Sequence, residues 1–426
     1  MDGVSSSTES PLKDNRIKME VLKIKRYCKN VDITDRELIS IATYKCLKGK
    51  YYRNDTLQLL STVSGLTTNQ LYYIMKKFSI KTVFRFVELI IDQIRIEIFD
   101  QDLKFVPIWY KEKIDTSNGK LRRIGIQNVK QQIYDYIAVE GLQDMFKRIG
   151  EHQYASIKGR GQLAGARRLK RWMRNKKLRC IGKADVKKCF PSIDHGMLMY
   201  FLYKYIKNDD LLWLIQTLVD SFEQGLSIGS YLSQYLCNLY MSQLYHEISE
   251  RMYRIRKKRD GTKQRVNLTT HVLIYMDDIF ISGTNTKDLH KAMKLIIKFA
   301  KERMGLTIKK SWIIATCKFR DKMHDNDFVD MMGFRVYRWH MTIRKYVFKR
   351  IRRCCLRILR RWKTHKIIPI AYARKALSYY GILKHTNSFK ITQKYKVTKI
   401  INICKKVVKT HDKSTIFRTT TCRQGF

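Results

Sequence analysis

Acidic residues are scarce in this chain: 37 Asp and Glu stand against 86 Lys and Arg in 426 residues, a formal net charge of +49. Self-repulsion on that scale works against a compact state unless a polyanion offsets it, so nucleic acid is the expected partner. Charge alone would also suit a ribosomal protein, a histone-like binder or a membrane-surface protein, and so does not point to an enzyme. The scarcity is most extreme in residues 341–426, which hold 24 Lys and Arg and one acid, Asp412. Two further absences narrow the class. The ten cysteines form no CxxC pair and no His/Cys cluster at zinc spacing, and the adjacent Cys354 and Cys355 suit neither a ligand pair nor a disulfide; they read as reduced, buried thiols. The N-terminus lacks an apolar leader segment and the chain lacks an uncharged apolar run of membrane-spanning length, which predicts a cytoplasmic protein with no membrane partner. There is also no internal repeat.

What is present suggests one large core with appendages, or two to three modules. Residues 1–15 are Ser-rich and polar and read as a disordered tail. Residues 16–100 read as a helical N-terminal extension: Asp35 can cap the run Arg36–Leu47, Thr67 or Thr68 can cap Gln70–Phe78, and an apolar stretch follows over Val83–Phe99. From residue 101 strand and helix patterns mix. Gly119–Ile126 has a turn followed by alternation, Gln131–Phe146 has helical spacing, and Cys180–Ala184 is strand-like, so an α+β body is expected. After residue 340, Ile343, Val347, Ile351, Cys355, Leu359 and Trp362 recur near helical spacing with Arg352, Arg353, Arg357, Arg360 and Arg361 around them. A basic helix laid along a nucleic-acid duplex is one reading; a solvated face, a calmodulin-target-like helix or a membrane-surface helix are the others.

The chemistry centres on Tyr275-Met276-Asp277-Asp278, flanked by apolar strand-like residues over Val272–Ser282. Burying unpartnered carboxylates in such a run is costly. Adjacent carboxylates on a tight strand–turn–strand suit Mg²⁺, which takes hard oxygen ligands and shares them with phosphates. A third acid must come from elsewhere, and the candidate is Asp185, which follows the strand-like Cys180–Ala184 and precedes Phe190 by five positions. Alone, either signal could be a hairpin turn or a chance Asp-Val.

Taken together, these motifs resemble the reverse transcriptase family, whose palm carries an Asp-x-x-x-x-aromatic motif and a YxDD box. The resemblance puts Asp185, Asp277 and Asp278 on the three catalytic, metal-binding aspartates, with the carbonyl of Val186 as a further ligand, and it implies two Mg²⁺ ions. Gln224–Gln234 resembles the motif that lies against the incoming nucleotide, and its form Ile228-Gly229-x-x-x-Ser233-Gln234 resembles the bacterial diversity-generating retroelements and the unclassified, defence-associated groups. Lys120-Leu121-Arg122-Arg123-Ile124-Gly125-Ile126 resembles the fingers strand that grips the triphosphate, although Gln127 stands where the family has Pro. Tyr154–Gly161 resembles the template-side motif with Arg160. Gly305–Lys310 resembles the motif that places a lysine, Lys309 or Lys310, near the pyrophosphate. Met332–Tyr337 resembles the primer-gripping hairpin, and Leu377–Ser388 a thumb signature.

The resemblance therefore implies a right-hand polymerase with fingers and palm in residues 101–340 and a basic helical thumb in residues 341–426. The implied nucleotide-binding residues are Lys120, Arg122, Phe190, Gln234 and Lys309; the implied nucleic-acid contacts are Arg160, Arg353, Arg357 and Arg360. The implied partners are an RNA template, a DNA primer or product, deoxynucleotides and a dedicated non-coding RNA, and an oligomer is compatible with all of this. The expected reaction is RNA-directed DNA synthesis inside a bacterial antiviral defence system. The alternatives are a diversity-generating retroelement enzyme, an RNA-templated RNA polymerase, or a non-catalytic RNA-binding scaffold. Phe190, a ring at the position expected to exclude a 2′-hydroxyl, speaks against the RNA polymerase. Retention of all three aspartates speaks against the scaffold.

Overall fold

The computed structural model describes residues 25–114, 119, 121–175, 177–317, 328–365 and 367–420, with side chains through residue 411. The expected tail of residues 1–15 and Lys120 lie outside the described residues. Helix starts follow the local capping chemistry. Asp35 accepts from the N–H groups of Glu37 and Leu38 and opens Arg36–Leu47, and Thr67 with Gln70 closes a reciprocal capping box at Thr68–Lys77. The helices Asn54–Ser64 and Phe84–Phe99 complete this region. Their buried side chains are continuous with those of Val129–Gly141 and the central sheet. Glu97 joins the two regions: it is buried, paired with Lys130 at 2.6 Å, and it accepts a hydrogen bond from the Tyr134 hydroxyl. A buried carboxylate held by an ammonium and a phenol is satisfied, which explains how it sits inside an apolar interface.

The central sheet has five strands in the order Gln153–Tyr154, His271–Tyr275, Asp278–Gly283, Cys180–Asp185, Ile313–Thr316. The first pair is parallel and the others are antiparallel. Side chains alternate across it. Val272, Ile274, Ile279, Ile281 and Ala184 face the core shared with the N-terminal helices, whereas Leu273, Phe280 and Ile181 face a second core with Leu169, Trp172, Val329 and Phe334. Burial on both faces makes the strand sequences read as almost unbroken apolar runs. The helices Tyr231–His246 and Thr286–Met304 pack on the first face, and Gln162–Met173 on the second.

A three-stranded antiparallel sheet, Phe328–Met331, Phe334–Tyr337 and Met341–Ile343, follows. The helices Lys345–His365, Ile370–Leu383, Phe389–Lys394 and Val397–Thr420 then surround a third core containing Val347, Ile351, Cys355, Ile358, Ala376, Ile400 and Cys404. The expected helical stripe needs two corrections. Ile343 ends a strand, because the helix begins only at Lys345, and Ile358 takes the fully buried position beside a half-buried Leu359. The thiol expectation also needs one: Cys317 and Cys354 are half-buried, while seven other described cysteines are buried and none forms a disulfide. Among the described residues no helix is long and apolar enough to cross a membrane.

Candidate active site

The strand His271–Tyr275 reverses through Met276, whose φ is +53°, and returns as Asp278–Gly283 with Tyr275 opposite Asp278. On its other side Asp278 stands opposite Asp185, the last residue of Cys180–Asp185. The Val186 N–H donates to the Asp277 carbonyl at 3.0 Å, and the Lys309 N–H donates to the Asp185 carbonyl at 2.9 Å. Backbone register therefore fixes Asp185, Asp277 and Asp278 at one end of the sheet, and it brings Lys309, not Lys310, to them. The Lys309 ammonium contacts the Asp185 carboxylate directly.

Electrostatics at this end are those of like charges held together. Burial raises the Asp277 carboxyl above the usual range, the Asp185 charge raises it further, and the Lys309 and Arg122 cations oppose the shift. Burial pushes Asp278 up to about 6, offset in part by Lys183, whose ammonium lies 3.7 Å away. Lys183 also donates to the Asp330 carbonyl at 2.6 Å, tying this end of the sheet to the following hairpin. Among the described residues no three His, Cys, Asp or Glu side chains stand close enough to enclose a metal ion as they are. The donor chemistry nonetheless fits divalent magnesium: hard carboxylate oxygens of Asp185, Asp277 and Asp278 at one end of the sheet, with the raised proton affinities of Asp277 and Asp278 being what a dication would relieve. At Asp185 the neighbouring cation is the Lys309 ammonium.

Arg122 lies on Leu121–Ile126, paired with Trp109–Ile114, and its charge reaches Asp277. Gly125 on the same strand is pressed against the loop Ser227–Ser230. A Cβ on Gly229 would fall 1.8 Å from the Gly125 carbonyl oxygen, so only glycine allows this approach. Phe190, half-buried in Cys189–Ser192, offers its carbonyl to the Leu226 N–H at 2.9 Å. Gln234 accepts from the Ser156 hydroxyl at 2.8 Å. Arg160 turns back to donate to the Gly150 carbonyl at 2.7 Å, so part of its guanidinium is engaged in holding its own loop. Arg353, Arg357 and Arg360 lie on the exposed face of Lys345–His365; Arg357 and Arg361 each stack over Tyr372 at 5.4 Å.

One residue escaped sequence reasoning. Asp135, buried on Val129–Gly141, accepts from the Ser230 hydroxyl at 2.7 Å, from the N–H groups of Tyr231 and Leu232 at 3.1 and 3.3 Å, and from Gln127 at 3.3 Å. It holds the first turn of Tyr231–His246, the helix that carries Gln234. The available signal was a lone acid within Ile133-Tyr134-Asp135-Tyr136-Ile137, where burial demands donors.

The reverse transcriptase (RNA-dependent DNA polymerase) family matches residues 111–336, just over half the chain and all of the central sheet. No curated protein matches this chain. Similar solved structures include apo telomerase from Candida tropicalis truncated from its C-terminal domain (TM-score 0.38, 14% identity, 56% of this chain and 54% of that one). Telomerase from Candida albicans in complex with a TWJ fragment of telomeric RNA has TM-score 0.38 and 11% identity over 76% and 65% of the two chains. The corresponding complex from Candida tropicalis has TM-score 0.41 and 13% identity over 80% and 59%. This chain spans less than two thirds of each of them. A family match across the very strands that hold Asp185, Asp277 and Asp278 shows that the chain belongs to the reverse transcriptase family and has its right-hand polymerase fold.

Proposed function

We propose that the chain is an RNA-directed DNA polymerase, which adds deoxynucleotides to a primer 3′ end against an RNA template. The observation that carries this reading is the register that sets Asp185 beside Asp278 and ties Val186 to Asp277 at one half-buried end of the sheet. Asp185, Asp277, Asp278 and the Val186 carbonyl would hold two magnesium ions, which when bound activate the primer hydroxyl and neutralise the triphosphate. Lys309, displaced from Asp185, would be placed to offset charge on the departing pyrophosphate. Arg122, and Lys120 on the same segment, would grip the triphosphate; Phe190 would lie under the sugar, and Gln234 and the glycine loop beside the new base pair. Residues 16–100 serve as a helical extension, 101–340 as fingers and palm, and 341–426 as a thumb whose Arg353, Arg357 and Arg360 meet the duplex, with Arg160 near the template.

The form Ile228-Gly229-x-x-x-Ser233-Gln234 supports placement among bacterial defence-associated enzymes carrying a dedicated non-coding RNA; the same residues also suit a diversity-generating retroelement. The test is primer extension by Asp185→Asn and Asp277→Asn. Each substitution removes a carboxylate oxygen and leaves the basic surface untouched, so synthesis should vanish while RNA affinity stays within about twofold. Full synthesis by either variant overturns the reading.

A further inference from the structure

Between the helix Tyr231–His246 and the strand His271–Tyr275, the chain projects as a two-stranded antiparallel ribbon, Tyr253–Lys257 and Lys263–Asn267. Its base is fixed. The Leu268 N–H donates to the Met252 carbonyl at 2.9 Å, both residues are buried, and Arg254 pairs with Asp288 at 3.1 Å. Its tip is a closed turn, with the Lys258 N–H on the Thr262 carbonyl at 2.8 Å. The ribbon is therefore an ordered arm and not a slack loop.

The arm's composition is extreme even for this chain. Residues 253–267 contain seven Lys and Arg and one acid, Asp260, whose carboxylate is occupied by the N–H and hydroxyl of Thr262. Strand alternation divides the faces. Arg254 points toward Asp288 and the body. The other face carries Tyr253, Ile255 and Lys257 opposite Asn267, Arg265 and Lys263. On it Tyr253 is 40% and Ile255 56% exposed, and the Arg265 guanidinium stacks on the Tyr253 ring at 3.9 Å. This exposed face sets Lys263 and Arg265 about 7 Å apart along one strand and Lys257 about 5 Å across from Lys263, a cluster of phosphate contacts beside a small apolar floor.

Position separates this face from the catalytic end. The ribbon feeds into His271, and four residue steps, about 14 Å of strand, run from there to Tyr275 and the turn with Asp277. Its anchor Asp288 begins the helix that follows Gly283, again at the end of the sheet away from the aspartates. We infer that the ribbon is a second nucleic-acid surface, which holds a duplex stem of the template-bearing RNA outside the catalytic cleft. The choice of RNA rests on the polymerase reading above. The wide, shallow minor groove of an A-form stem accepts a flat ribbon and offers phosphates on both rims.

The test compares binding of a short RNA stem-loop and a DNA hairpin of the same sequence by the full chain. One variant is Lys257→Gln/Lys263→Gln/Arg265→Gln; a second, Lys258→Glu/Arg259→Glu, alters only the exposed turn and leaves the strands intact. The expected result is at least a tenfold loss of RNA-stem affinity in both, with the log–log salt slope of the first shallower by about three, and unchanged extension of a short primer on a homopolymer template. Unchanged affinity and slope in both variants overturn the proposal, as do equal losses on the DNA hairpin or a parallel loss of extension. If the wild type extends no primer yet the variants still lose the RNA stem, the surface stands and the polymerase reading falls.

Discussion

Asp135 offers the sharpest quantitative test of the packing between Val129–Gly141 and the helix that carries Gln234. Burial raises its carboxyl from 3.8 to about 6, although the Ser230 hydroxyl, two backbone N–H groups and Gln127 partly counter the shift. A folded-state value above the unfolded one means that the folded protein binds the proton more tightly. The associated stability is complete below about pH 4 and is lost as pH rises through about 6. Two pH units of displacement correspond to about 3 kcal/mol. Asp135→Asn removes the titration but keeps an acceptor for Tyr231 and Leu232, and its new amide can reach the Gln127 Oε1, which has no partner in the wild type. Urea unfolding from pH 4 to pH 8 provides the measurement. Subtracting the variant's curve from the wild type's cancels every other titrating group, including Asp277 and Asp278. The difference should fall by about 3 kcal/mol between pH 4 and 7, leaving the Asn protein the more stable at neutral pH. A difference that does not change with pH would refute the placement of a buried, proton-binding carboxyl at residue 135.

Two further substitutions test the proposed cleft. Phe190→Ala should admit ribonucleotides while the carboxylates stay in place. Because the ring is only half-buried, the change should cost about 2 kcal/mol, below the 3–5 of a fully buried ring, so the variant remains folded. Paired incorporation assays on one RNA template check this; a folded variant with unchanged preference removes Phe190 from the site, and a wild type that prefers ribonucleotides removes DNA synthesis. Charge reversal at Arg353, Arg357 and Arg360 should weaken template–primer binding and flatten its salt slope by about one per lost phosphate contact, measured by titration with salt. An unchanged slope places that face off the duplex.

The sequence by itself determined whatever depends on neighbours along the chain. Asp35 and the Thr67-Thr68 pair mark helix starts because a cap needs only a side-chain oxygen within three residues of free N–H groups, and the structure then assigns the cap to Thr67. Tyr275-Met276-Asp277-Asp278 stood out because two carboxylates interrupt an apolar run, and the order of the remaining motifs then pointed to the family. Tertiary structure alone decided the rest. The motif Gly305–Lys310 holds two lysines, of which the resemblance implied Lys309; that Lys309 reaches Asp185 is seen only in the structure, in the bond from its N–H to the Asp185 carbonyl. Asp135 meets three of its four donors 95 to 97 positions away, a pairing that no local period encodes. Ile343 matched a helical stripe, but pairing with Phe334 made it a strand residue, since ladder hydrogen bonds outweigh a weak intrinsic preference. The basic ribbon reads as one more charged stretch until its anchor to Asp288 shows which face turns outward and at which end of the sheet it lies. Periodicity reports which side of an element is buried; which partner it is buried against depends on contacts far apart in the chain, and those set the chemistry of the site.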